Sequence, residues 1–243
     1  MTKATRIISC LLALVLVFFL AGCGSTPQTP ENPAGQGEQT APPDMENPGT
    51  AQSDPAEELQ IPTAPGGADI LVVYFSRTGE QYNVGVIDRG NTAIAAEMIA
   101  DELDADLWEI LPADDHYPMT YKELTDVAKQ EQNENARPAY AGEAPELSQY
   151  STIFIGAPVW WGDWPMILYT FFEQNTDGLA GKTLIPFSTH EGSGLSGFDK
   201  KLASACPDSE VGKGLAIRGG DAQNKQDQVR ETINQWLTEL GVK

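Results

Sequence analysis

Three stretches of this chain carry residue types that could do chemistry together. The first is Ser76-Arg77-Thr78-Gly79, continued after Glu80 to Gly90 by Asn91-Thr92. It brings hydroxyl, amide and backbone N–H groups to one place, between an apolar run (Ile70 to Phe75) and the start of an amphipathic segment. A phosphate suits that place, because the first N–H groups of a helix are unpaired and its dipole is positive there. An ordinary polar turn, with Asn91 or Thr92 capping the helix, would use the same residues. The second stretch is Pro158-Val159-Trp160-Trp161-Gly162-Asp163-Trp164-Pro165. Indole rings offer wide flat surfaces for a planar ligand. Trp160 or Trp161 is the candidate for touching one, while Trp164, beside the next helix, is better placed to cover the sheet end. The third is Ser188-Thr189-His190-Glu191-Gly192-Ser193-Gly194. Its glycines let backbone approach a ligand closely, and its hydroxyl, imidazole and amide groups can meet the polar edge of a heterocycle. His190 is either ligand-facing or a surface or capping residue, and Glu191 is equally suited to capping a helix.

These loops need elements to position them. Asp69 to Phe75, Ala105 to Leu111, Thr152 to Ala157, Thr183 to Phe187 and a segment ending at Gly214 to Ile217 read as strands, the first and third apolar on both faces. Helical periodicity marks Asn91 to Leu103, Thr120 to Asn135, Pro165 to Gln174, Leu195 to Ala205 and Gln223 to Leu240. Strands alternating with helices imply a doubly wound α/β fold with a parallel sheet. Ligands in such sheets bind beyond the carboxyl ends of the strands, near the switch in strand order. The three stretches are the loops at those ends after the first, third and fourth strands. A phosphate cradle, an aromatic surface and a donor-rich loop together describe a site for a mononucleotide with a planar ring.

On these residues, 69–243 resembles the flavodoxin-like family, with the phosphate loop divided by the insert Glu80 to Gly90. The resemblance implies a five-stranded sheet of order 2-1-3-4-5 and non-covalently bound FMN. It implies that Ser76, Arg77, Thr78, Gly79, Asn91 and Thr92 face the phosphate. Pro158, Val159, Trp160, Trp161 and Gly162 would flank the isoalloxazine, and Thr189, His190, Glu191, Gly192, Ser193 and Gly194 its pyrimidine edge. The insert departs from the family pattern and would form a lid or a partner surface. Bound flavin would supply the redox chemistry, and the protein would tune it by burial, stacking and charge. The expected function is electron transfer, with an FMN-dependent reductase linked to a quinone or NAD(P)H as one alternative and a flavin-free binding module as another. A protonated His190 would stabilise negative charge at the pyrimidine edge.

Composition limits the remaining possibilities. The net charge is −20, and residues 68–243 carry 28 acids against 13 bases. That field repels phosphate backbones, so nucleic acid is not an expected partner. The cysteines Cys10, Cys23 and Cys206 form no closely spaced set, so no zinc site is expected. No G-x-S-x-G elbow supports a serine hydrolase. Residues 1–22 combine Lys3 and Arg6 with a short apolar run that ends in Leu20-Ala21-Gly22-Cys23. This resembles the signal peptide of bacterial lipoproteins, and implies lipidation of Cys23 and residence on the outer face of a membrane. Residues 23–67, rich in Pro, Gly, Gln, Thr and Glu, have no apolar period and read as a disordered tether. Its coil reach would be about 35–40 Å. The folded domain is then 68–243, and its partners would be a redox protein or a quinone.

Overall fold

A computed structural model describes residues 69–243. The signal peptide expected at 1–22, the lipidation expected at Cys23 and the tether expected at 23–67 lie outside the described residues. In chain order the elements are β1 (Ile70–Tyr74), β2 (Gly79–Gln81), β3 (Gly85–Ile87), α1 (Asn91–Leu103), β4 (Asp106–Glu109), α2 (Tyr121–Glu134), β5 (Thr152–Pro158), α3 (Met166–Gln174) and α4 (Thr176–Leu179). Then follow β6 (Thr183–His190), α5 (Phe198–Ala205), β7 (Glu210–Val211), β8 (Leu215–Arg218), α6 (Gly219–Asn224) and α7 (Gln226–Glu239).

The main sheet runs β4-β1-β5-β6 and ends on β7 and β8, which both pair with β6. All of its pairings are parallel. Counted as five strands, this is the order 2-1-3-4-5. Alternating residues of the central strands feed two separate cores. Leu71, Val73, Ile153 and Ile155 pack with α3 and α5 residues such as Leu168, Phe171, Phe198 and Leu202. Val72, Phe154, Ile185 and Phe187 pack with Ile94 and Ile99 of α1 and Ile233 and Trp236 of α7. A strand buried on both faces has no polar alternation to show, which is why β1 and β5 read as continuous apolar runs.

One glycine shapes the sheet centre. A Cβ on Gly156 of β5 would lie 2.0 Å from the Phe187 ring. The ring of Phe187, which pairs with Gly156 across β5 and β6, occupies the space a side chain would take. Cys206 is buried, and burial pushes its thiol up to about 11, so the chemistry of the site does not draw on it.

The structure trims two expected elements, the strand at 105–111 to Asp106–Glu109 and the helix at 195–205 to Phe198–Ala205, and departs further at the last strands and helix. The strand expected to stop at Phe187 continues to His190, because Ser188 and Thr189 are buried in ladder pairing with both β5 and β8. The last helix is two, α6 and α7, joined at Lys225. The fifth strand is also two pieces. Between the pairs Leu184 with Val211 and Phe187 with Leu215 the edge carries one more residue than β6, a bulge at Gly212-Lys213-Gly214. Pro186 has no N–H to give there, and a Cβ on Gly214 would meet the Pro186 carbonyl at 2.7 Å.

Candidate functional site

The carboxyl ends of β5 and β6 and the start of α1 open into one cleft of about 460 Å³. Pro158, Val159, Trp160, Trp161 and Gly162 line it, as do Asn91, Thr189, His190, Glu191 and Ser193. The cleft thus gathers the second and third loops and, of the first, Asn91; Ser76, Arg77, Thr78, Gly79, Thr92, Gly192 and Gly194 are not on its wall.

The first loop closes on the start of α1. Ser76 Oγ accepts the Ala93 N–H at 3.0 Å, which caps the helix and leaves the hydroxyl proton to donate elsewhere. Thr92 and Thr189 are buried and share a hydroxyl–hydroxyl hydrogen bond of 2.7 Å. Whichever donates, the pair retains one proton for a further acceptor. The N–H groups of Asn91 and Thr92, in the first turn, have no carbonyl four residues back within the helix. Asn91 Oδ1 accepts from Gln223 Nε2 at 2.8 Å, which ties the loop to α6. A group that only accepts hydrogen bonds, as a phosphate does, fits these donors.

Two residues of this loop serve other roles. Arg77 turns away: its guanidinium donates to both oxygens of Asp115, at 2.8 and 2.9 Å, and to the Tyr117 carbonyl. Its two terminal nitrogens are thus engaged by the loop before α2, while its Nε–H is buried without a partner. Gly79, at φ +87, opens the β2–β3 hairpin, and a Cβ on it would meet the Met119 carbonyl at 2.6 Å. The residue that lets the loop approach the helix is Gly90. A Cβ there would stand 2.1 Å from Ser76 Oγ and 2.8 Å from the Arg77 carbonyl oxygen. The sequence signal was the unbroken Gly90-Asn91-Thr92, passed over in favour of the glycine adjoining Thr78.

The second loop is a tight turn. Trp160 and Asp163 exchange both backbone hydrogen bonds, with Trp161 at φ +50 and Gly162 at φ +76 between them. Positive φ at both central residues is the geometry of a type I′ turn, costly for a bulky residue such as Trp161. Trp161 is held by its indole N–H, which donates to the Thr125 carbonyl of α2 at 2.8 Å, and by Lys129 over its ring. Trp160 lines the cleft while resting edge-on against Phe75 and Tyr117. Trp164 belongs to the core, stacked 3.7 Å from Phe198, in keeping with its expected role.

In the third loop Glu191 is a structural residue. Its carboxylate accepts from the Gly220 N–H at 2.7 Å in the first turn of α6 and pairs with Arg218. The His190 ring is arranged as a neutral imidazole. Its Nδ1 accepts the Gly192 N–H at 2.8 Å, so the ring proton resides on Nε2. Burial lowers its pKa, helped by Arg218 and opposed by Glu191.

The other histidine is shifted the opposite way. Burial alone would lower the pKa of His116, but hydrogen bonds to the Glu131 carboxylate and the Asp114 carbonyl outweigh it and raise it. The chain holds only these two histidines, so an imidazole NMR titration should show one midpoint above 6.5 and one below. The signs of their stability contributions follow by linkage. His116 stabilises fully below 6.5 and loses that contribution as pH rises through its folded pKa. The neutral His190 is favourable above 6.5 and becomes a liability as pH falls toward its folded pKa. Two midpoints on the same side of 6.5 would contradict this assignment.

The insert is a β-hairpin that joins the wall of the cleft. Gln81 and Tyr82 line it together with Tyr121, Leu124, Thr125 and Ala128 of α2. Tyr82 stacks on Tyr121 at 5.5 Å, and Glu80 accepts the Tyr121 N–H at the start of α2. None of these six was read as a site residue from sequence, because only the tertiary pairing of hairpin and helix brings them to the strand ends.

The sequence profile of the flavodoxin family matches residues 69–239. The chain belongs to that family. Among solved structures, a candidate flavoprotein from Bacteroides eggerthii is 30% identical with a TM-score of 0.57, over 72% of this chain and 98% of its own. Another from Bacteroides uniformis is 32% identical with a TM-score of 0.55, over 70% of this chain and 98% of its own. A flavoprotein from Lactobacillus acidophilus, solved in complex with FMN, shares the fold at 21% identity and a TM-score of 0.50, over 65% of this chain and 97% of its own. No curated protein matches the chain. In this flavodoxin the first loop is divided by the hairpin: Ser76 and Thr78 come from one side of it, Gly90, Asn91 and Thr92 from the other.

Proposed function

We propose that the protein binds FMN in this cleft and transfers electrons outside the cell membrane, anchored through a lipidated Cys23. The observation that carries the cofactor is the cradle at Gly90. The space a Cβ would fill is the close approach of Ser76 to the helix start, and the groups gathered there offer protons to an acceptor-only ligand. Ser76, Thr78, the first-turn N–H groups of α1 and the free proton of the Thr92–Thr189 pair would hold the phosphate. Trp160, Trp161 and Pro158 would flank the flavin ring, and the Nε2–H of neutral His190 would serve its polar edge. When bound, FMN supplies the one- and two-electron chemistry.

The residues then act on it in three ways. Helix dipole and hydroxyls offset the phosphate charge without a free arginine, since Arg77 is paired with Asp115. The indoles restrict water at the ring. The acidic domain disfavours added negative charge, which lowers the potential. The lipobox-like run at Leu20 to Cys23 supports the anchor, and a redox protein or a quinone completes the electron path.

The purified protein, incubated with FMN and desalted, should retain a flavin spectrum. Ser76→Ala with Thr78→Ala removes two hydrogen bonds to a charged group, roughly 1.5–3 kcal/mol each, so affinity should fall at least a hundredfold. A folded protein that stays colourless would overturn the proposal.

A further inference from the structure

The cleft holds more than cofactor loops, and its remainder has its own chemistry. Its wall extends over the hairpin and α2, where Tyr82, Tyr121, Leu124 and Ala128 are joined by Gln81 and Thr125. This part is aromatic and aliphatic, with an amide and a hydroxyl beside it. Tyr82, Tyr121 and Trp161, all on the cleft wall, are among the exposed large apolar side chains of the described residues. Surface of that kind concentrated at one corner marks a binding site. The hairpin is anchored for the purpose by Glu80 on the Tyr121 N–H and by Glu80 N–H on the Met119 carbonyl.

Charge decides what fits. Glu80 stands on the hairpin and Glu123 in the first turn of α2. The nearby bases are already engaged, Lys122 with Asp126 and Arg77 with Asp115, while Lys129 lies over Trp161 and donates to Gln132. No lysine or arginine lines the cleft, so a pyrophosphate-bearing dinucleotide would find no cation on its wall. A neutral flat ring meets aromatic faces and two neutral polar side chains.

We infer that the hairpin and α2 form a second compartment of the cleft, a subsite for a neutral planar ring of the quinone class. It rests on the proposed FMN site, since it names the small-molecule partner that would sit beside the flavin.

The test is equilibrium dialysis of 2,3-dimethyl-1,4-naphthoquinone, which has no quinone-ring position open to thiol addition, against the protein with and without saturating FMN. The quinone should bind at one equivalent with FMN present, and Tyr82→Ala should weaken it at least tenfold without changing FMN retention. Val86→Ala, exposed on the same hairpin but off the cleft wall, should change nothing. Displacement of the quinone by FMN would overturn the subsite, because the ring would then only be filling the flavin compartment. Equal affinity in Tyr82→Ala, or tighter Tyr82-dependent binding of NADH, would also overturn it. If FMN is not retained, the proposed function fails on its own, and the Tyr82 comparison in FMN-free protein still decides the subsite.

Discussion

Gly90→Ala should lower FMN affinity by a hundredfold or more while the domain stays folded. The cause is not backbone conformation. Gly90 sits at φ −66 and ψ 146, which any residue adopts. The cause is space: the new methyl would lie 2.1 Å from Ser76 Oγ and 2.8 Å from the Arg77 carbonyl oxygen. A side chain can rotate away, but a carbonyl in a loop fixed by the Arg77–Asp115 pair cannot do so alone. The 76–78 segment must therefore lift from the helix start. Hydrogen bonds weaken steeply outside a narrow range of length and angle. Losing two donors to a phosphate costs about 3–6 kcal/mol, or two to four orders of magnitude in Kd. Titration by quenching of flavin fluorescence measures this directly. Gly220→Ala is the matched control, because a Cβ there meets nothing closer than Glu191 Oε1 at 3.6 Å. An affinity within threefold of the parent in Gly90→Ala would show that the phosphate lies elsewhere.

The largest stability effect is expected at the sheet centre. Gly156→Ala places a methyl 2.0 Å from the Phe187 ring, which is fully buried and has no free direction to move. Overpacking of this kind costs about 1–3 kcal/mol, and here the upper end is expected because both partners lie on central strands. Phe187→Leu alone should also destabilise, by leaving a cavity. The double variant should be more stable than the sum of the single losses predicts, since the smaller side chain vacates the space the methyl needs. Urea denaturation of the four proteins closes the cycle. Additive losses would mean that Phe187 is not what excludes a side chain at 156.

Much of this was legible in the sequence, and the reasons are physical. β1 and β5 show through their unbroken apolar runs, the parallel sheet follows from strands alternating with helices, and its order came from the family resemblance. The loops at the strand ends were found because polar and aromatic residues cluster there, although Trp164 proved to be core and Trp160 rests on Phe75 and Tyr117. What stayed hidden depends on contacts distant in sequence. His190 looked like a loop residue because nothing local shows that Ser188 and Thr189 are paired on both sides. Its protonation state follows from one backbone N–H, that of Gly192. Tyr82 and Tyr121 are unremarkable apart and form a wall only when stacked. Gly90 was overlooked because the hairpin separates it from Ser76 in sequence, whereas in space the two segments touch. Arg77 looked like a phosphate ligand by charge, and only the fold reveals Asp115 as its partner.

The bulge at Gly212-Lys213-Gly214 bears on a different hazard. The outer strand of an open sheet can template the strand of a neighbouring molecule, and copies confined to a surface would meet often. Here that edge is two short pieces of different register, so no long row of backbone groups is available for zipping. The Lys213 carbonyl at the break is already taken by the Trp236 indole N–H at 2.9 Å, and its ammonium by Glu239, both of α7. The interruption that Pro186 imposes on the ladder therefore protects the molecule from pairing with itself.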